Sequence, residues 1–221
     1  PRYHGPGRGA GNSVRALLDA FELTGERRHH EKAEELIRRC IHPHDDLPGR
    51  DLGNLEVRWS YLVFLQVLGR YLDLKSERGE RDATYAYARA SLSAYAKWML
   101  ENEVPYLQVL SRVEFPTETW PAHDIRKSVV FDYASVYGDP RLRERFREKA
   151  DLFFRECLTG VASFETRACT RPLAILLQSG FVRAAFRAEP PQLEPLLEEG
   201  VEFGAPQAFA GQMERVKRMF K

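Results

Sequence analysis

The chain repeats a helical hairpin. Residues 19–41 read DAFELTGERRHHEKAEELIRRCI and residues 132–158 read DYASVYGDPRLRERFREKADLFFRECL. In each copy an Asp stands six residues before a Gly (Asp19 and Gly25, Asp132 and Gly138), a charged turn follows, and Lys-Ala-acid leads to Cys plus an aliphatic residue. The later copy is four residues longer between Gly and Cys, about one helical turn. One such hairpin cannot bury its own apolar stripe, so recurrence predicts an all-α fold of stacked antiparallel hairpins.

The apolar spacing agrees. Val14, Leu17, Leu18 and Phe21 keep the i, i+3, i+4, i+7 order of one buried face, and Ala33, Leu36, Ile37 and Cys40 continue it. Asn12 or Ser13 is the expected N-cap of the first helix, and Gly25 its left-handed stop. A drifted middle hairpin places Leu62, Leu65, Leu68 and Leu72 opposite Ala88, Leu92, Tyr95 and Met99, with SERGERD as the turn. The third uses Ile125, Val129, Val130 and Tyr133, then Phe146, Ala150, Phe153 and Cys157. Beyond Cys169 a helix over 171–187, a short helix over 193–199 and a basic terminal helix from Gln212 are expected. The division is a hairpin domain over 1–187 and an extension over 188–221.

Composition excludes more than it selects. With 33 basic and 32 acidic residues the formal charge is +1, which gives no global drive toward nucleic acid or an anionic membrane. No apolar run approaches the roughly 20 residues that span a bilayer. The expected partner is a carbohydrate or another small polar ligand, with neither nucleic acid nor membrane; the oligomeric state is open. The three cysteines are odd in number, and Cys40 and Cys157 on apolar stripes read as buried thiols. No cofactor motif is present. The chain starts without Met and reads as a processed or excised piece, so its compartment is open, with a soluble cytoplasmic setting favoured.

Chemistry is expected in the long connections, residues 1–11, 41–57 and 103–121, which emerge on one rim if the hairpins stack in one direction. The foremost segment is PTETWPAHDIRKS, residues 116–128. Trp120 can pack on the apolar face of a sugar while Arg126 and Lys127 bind hydroxyls or a carboxylate, and Glu118, His123 and Asp124 are the candidate catalytic groups. The alternative is a Trp that staples the helix start among solvated charges. YHGPGRGAGNS offers His4, Arg8 and Asn12 beside flexible glycines and a helix N-terminus, without a P-loop ending. In RWSY, Trp59 and Tyr61 point to different faces, so one lines a cleft and the other is core. HPHDD, residues 42–46, gathers His and Asp too tightly for a metal site without a distant ligand and reads as a polar helix end.

GRGAGNSVRALLDAFELTGERRHHEKAEELI, YASVYGDPRLRERFREKADLFF and the loop PTETW together resemble the α/α toroid, or six-hairpin, superfamily of carbohydrate-active proteins over residues 8–158. That superfamily includes glycoside hydrolases and heparinase-like polysaccharide lyases. The resemblance implies a partial or complete α/α toroid, and the chain departs from that pattern in showing too few hairpins for a closed six-hairpin ring. The resemblance also implies an oligosaccharide or polyuronate cleft among inter-hairpin loops. No catalytic residue carries over at motif level. Within that frame Glu118 or Asp124 is the acid or base of a hydrolase, and His123 with Arg126 the base and uronate partner of a lyase. A non-catalytic helical scaffold that binds a protein partner is the other function class.

Overall fold

The computed structural model describes residues 5–165, 169–189, 191–197, 201–206 and 212–220. Nine α-helices occur among them: α1 (Arg8–Thr24), α2 (Arg27–Cys40), the single turn α3 (Leu55–Arg58), α4 (Tyr61–Glu77), α5 (Ala83–Asn102), α6 (Thr119–Tyr137), α7 (Arg143–Ala162), α8 (Thr170–Ala188) and α9 (Gln212–Met219). There is no strand among the described residues, so the fold is all-α. None of these helices is long and apolar enough to cross a membrane.

Three hairpins form, α1/α2, α4/α5 and α6/α7. Their first helices contact one another in the order α1, α4, α6, with α8 next to α6, while α2 packs on α1, α5 on α4 and α6, and α7 on α6. The recurring Asp joins this row. Asp19 of α1 pairs with Arg70 of α4 at 2.6 Å, and Asp132 of α6 pairs with Arg183 of α8 at 2.9 Å. In both copies the carboxylate ties the first helix of a hairpin to the next member of the row.

The predicted stripes are the core. Leu18, Ile37, Leu62, Leu72, Leu92, Met99, Phe146 and Phe153 are fully enclosed. Phe131 stacks between Phe146 and Phe153 with ring centres 6.0 and 5.8 Å away. Cys157 is buried and Cys40 half-buried, and burial pushes their thiols up to about 12 and 11. Two glycines set the helix spacing. A Cβ on Gly11 would stand 3.1 Å from the Phe64 backbone, and one on Gly69 would collide with the Tyr133 ring. Thus α1 and α6 both press closely on α4.

Several boundaries differ from expectation. Helix α1 starts at Arg8, with Gly7 as an N-cap that offers no side chain, so Gly9 and Gly11 lie inside the helix; Ser13 donates back to the Gly9 carbonyl. Gly25 does terminate it at φ 70°, its N–H bonded to the Phe21 carbonyl. Residues 193–197 are not helical; residues 198–199 of that expected helix lie outside the described residues. Instead Glu194 turns inward, bonding Arg81 at 2.9 Å and lying 3.7 Å from Arg89, whose side chain also donates to the Pro195 carbonyl. This carboxylate anchors the extension to α5.

Candidate functional site

Two of the three long connections meet at the N-terminal end of α6. Residues 41–57 bring Glu56, and Trp59 follows directly at the end of α3; residues 103–121 bring Phe115 and Trp120; α6 supplies His123 and the start of α8 Arg171. Together they line a rim cavity of about 240 Å³. The His123 ring lies between the indoles, 4.4 Å from Trp59 and 6.1 Å from Trp120. Trp120 is fixed from behind by Tyr106 at 5.3 Å and by its indole N–H, which donates to the Phe115 carbonyl at 2.9 Å. The indoles are half-buried, whereas Glu56 and Arg171 are exposed.

The α-helical period divides the charges of α6 between two faces. His123 and Arg126, one turn apart, share the face toward α4 and α8. The Arg126 Nε–H donates to His123 Nδ1 at 3.2 Å, and its Nη1 donates to Gln66 Oε1 at 2.8 Å. Burial, then the positive charges of Arg126, Arg171 and Lys127, holds the His123 imidazole down to about 3. A ring that accepts at Nδ1 and is neutral carries its proton on Nε2. At neutral pH His123 therefore has its N–H at Nε2 and is not a base through Nδ1.

Asp124 and Lys127 occupy the opposite face and are sealed in the core. Lys127 Nζ lies 3.0 Å from Asp124 Oδ1 and 2.9 Å from Glu103 Oε2, donates to the Val104 carbonyl at 2.6 Å, and sits 3.5 Å from the centre of the Tyr106 ring. Asp124 Oδ2 accepts from the Tyr106 N–H, and Glu103 accepts from the Tyr61 hydroxyl at 2.6 Å. Burial raises the Asp124 carboxyl to about 6 despite the ammonium beside it. Both residues are buried. The expectation that they decorate a solvated helix start, Asp124 as acid or base and Lys127 as ligand contact, is corrected: they clasp the loop at 103–106 to α6.

The remaining candidates divide. Trp59 lines the cavity and Tyr61 is core, but they do not share a helix as expected: Trp59 follows the last residue of α3 and Tyr61 is the first of α4. Glu118 is half-buried just ahead of α6 and does not line the cavity. Arg8 and Asn12 are exposed on the first turns of α1, also away from it. Gly11 serves the packing of α1 on α4 rather than a ligand. His4 lies outside the described residues. In HPHDD, Asp45 accepts from the His42 N–H at 2.9 Å and the Tyr95 hydroxyl at 2.8 Å and pairs with Arg50, a polar helix end tied to α5. Among the described residues no group of three or more His, Cys, Asp or Glu is placed to hold a metal ion.

Glu56 and Arg171 were not singled out from the sequence. Glu56 had a signal, since it precedes Trp59 by one helical turn; Arg171 reaches the cavity only through the packing of α8 on α6, which no local pattern encodes. No family model, curated protein or solved structure matches the chain.

Proposed function

We propose that this chain is a helical domain of a carbohydrate-active protein and that the rim cavity is where it holds a sugar. The observation that carries the reading is the pair of half-buried indoles flanking the neutral imidazole of His123. Apolar ring faces suit the C–H face of a pyranose, while the Nε2–H of His123, the Glu56 carboxylate and the Arg171 guanidinium suit its hydroxyl or carboxylate edge. The resemblance to the α/α toroid superfamily supports the same assignment, because there too the cleft lies among inter-hairpin loops.

Binding is favoured over cleavage. A glycosidase needs two carboxyl groups across the scissile bond, and Glu56 is the only carboxylate lining the cavity among the described residues. A lyase needs a base, and His123 has its Nδ1 occupied and its proton affinity suppressed. Screening an array of neutral and uronate-containing oligosaccharides, then repeating it with Trp120→Ala, tests the reading. Selective capture lost in the variant supports it, and no capture by the intact protein contradicts it.

One observation favours the scaffold alternative. Leu173, Leu177 and Phe181, four residues apart on α8, are 52, 77 and 67% exposed and form an apolar stripe on one helix face. If the chain is a scaffold, Leu177→Asp abolishes partner capture while Trp120→Ala leaves it intact.

A further inference from the structure

Five lysine or arginine side chains are buried among the described residues: Lys75, Arg89, Arg126, Lys127 and Arg183. Four have a carboxylate. Lys75 has Glu34 and Asp82, Arg89 has Glu194, Lys127 has Glu103 and Asp124, and Arg183 has Asp132 and Asp151. Arg126 has none within ion-pair distance among the described residues. Its nitrogens meet the neutral groups His123, Gln66 and, at 3.5 Å, Gln178. A buried charge without a counter-charge is strongly unfavourable, and here two further positive charges act on it. Burial, then Arg15, pulls the guanidinium down to about 10, and Arg171 adds to the effect.

The surroundings are built to receive what is missing. Arg126 does not itself line a cavity but stands behind Gln66 and Gln178, which line one of about 480 Å³ between α1, α4, α6 and α8 together with Arg15 and the carboxylates Glu22, Asp73 and Glu77. Glu22 is paired with Arg70, Asp73 accepts from the Tyr137 hydroxyl, and Glu77 is exposed. The Arg15 Nε is buried there without a hydrogen-bond partner. Gln66 is held in register, its Nε2 donating to Ser179 Oγ at 3.3 Å while its Oε1 accepts from Arg126. Gln178 is exposed and makes the longest contact with Arg126, so its amide can swing aside and its place be taken by an incoming oxygen. Arg70, also on this cavity, is already paired with Asp19 and Glu22 and adds no free positive charge.

We propose that the cavity between α1, α4, α6 and α8 is a binding site for a compact oxyanion, a phosphate or carboxylate group, held by Arg126 and Arg15 and oriented by Gln66. The site is separate from the indole-lined rim cavity and stands whether or not that cavity binds sugar. A carboxylate and a phosphate place two oxygens at the spacing of the guanidinium fork, so the shared chemistry is a bidentate oxyanion.

Thermal unfolding of the whole chain, titrated with inorganic phosphate in one series and malonate in another at ionic strength held constant with sodium chloride, tests the site. A ligand of the folded state raises Tm in a saturable manner. The wild type is expected to respond to at least one of the two anions, and the responding arm identifies the phosphate-like or carboxylate-like source. Arg15→Gln is expected to weaken the apparent affinity about tenfold, the usual loss of one charged hydrogen bond. Arg126→Met is expected to abolish the response and, without anion, to be no less stable than the wild type. A wild type that responds to neither anion beyond the chloride control, or an Arg15→Gln variant with unchanged affinity, overturns the proposal. Trp120→Ala must leave the anion response intact, which keeps this test distinct from that of the rim cavity.

Discussion

His123 Nδ1 accepts a hydrogen bond from Arg126 Nε, one turn further along α6, at 3.2 Å. This contact fixes the imidazole tautomer and joins the rim cavity to the groove behind it. Its first consequence is spectroscopic. The ring, held down to about 3, should show no titration of its nitrogen or C–H resonances between pH 8 and pH 5, and Arg126→Met should bring its transition closer to the usual imidazole range. A His123 midpoint near 6.5 in the wild type would contradict the geometry.

The same group shapes acid stability, with a sign opposite to that of a buried carboxyl. Between the unfolded value near 6.5 and about 3 the unfolded chain binds a proton at His123 that the native state refuses, so this residue lowers stability as pH falls through that window. Asp73 works the other way. Burial raises its carboxyl to about 6, although Tyr137 and Tyr133 bond to it, so between about 6 and 3.8 the native state holds the extra proton and gains stability as pH falls. Asp73→Asn should therefore gain on the wild type as pH rises from 4 to 7 in urea titrations. A difference independent of pH would show that Asp73 ionises normally.

Phe153→Ala should cost about 3–5 kcal/mol, the usual range for emptying an enclosed Phe site. Phe153 has no exposed surface and its ring lies nearly parallel to that of Phe131, at 8° and 5.8 Å. Denaturant titration gives the number; a loss under about 1 kcal/mol would mean that the interface between α6 and α7 refills freely.

Lys127→Met should also be costly, on the order of 3–5 kcal/mol, because it leaves the Glu103 and Asp124 carboxylates buried without their shared cation. Adding Asp124→Asn should restore part of the loss, since one of the stranded charges is then removed. If the two substitutions add independently, the three groups are not coupled.

The hairpins were legible because they follow local periodicity: Asp19 and Asp132 mark equivalent helices, and the stripes through Leu62 and Phe146 are core. The start of α1 was missed because Gly9 and Gly11 look like loop residues, whereas Gly11 is small to admit the Phe64 backbone. The charges of α6 were misread for a related reason. Asp124 and Lys127 look solvated in isolation, and the carboxylate of Glu103 that shares the Lys127 ammonium comes from another element. The rim site was legible to the extent that its aromatic residues sit in long connections; which charges join them depends on how α8 packs.

The central claim is that the indoles of Trp59 and Trp120 hold a sugar ring. Calorimetric titration of the oligosaccharide selected by array, into wild type, Trp59→Ala, Trp120→Ala and Glu118→Gln, tests it most directly. Loss of one stacked indole should weaken binding by roughly tenfold or more, about 1.4 kcal/mol, in either Trp variant while the fold persists, and Glu118→Gln should bind as the wild type does. Equal affinity in the wild type and both Trp variants would contradict the account and place the ligand elsewhere.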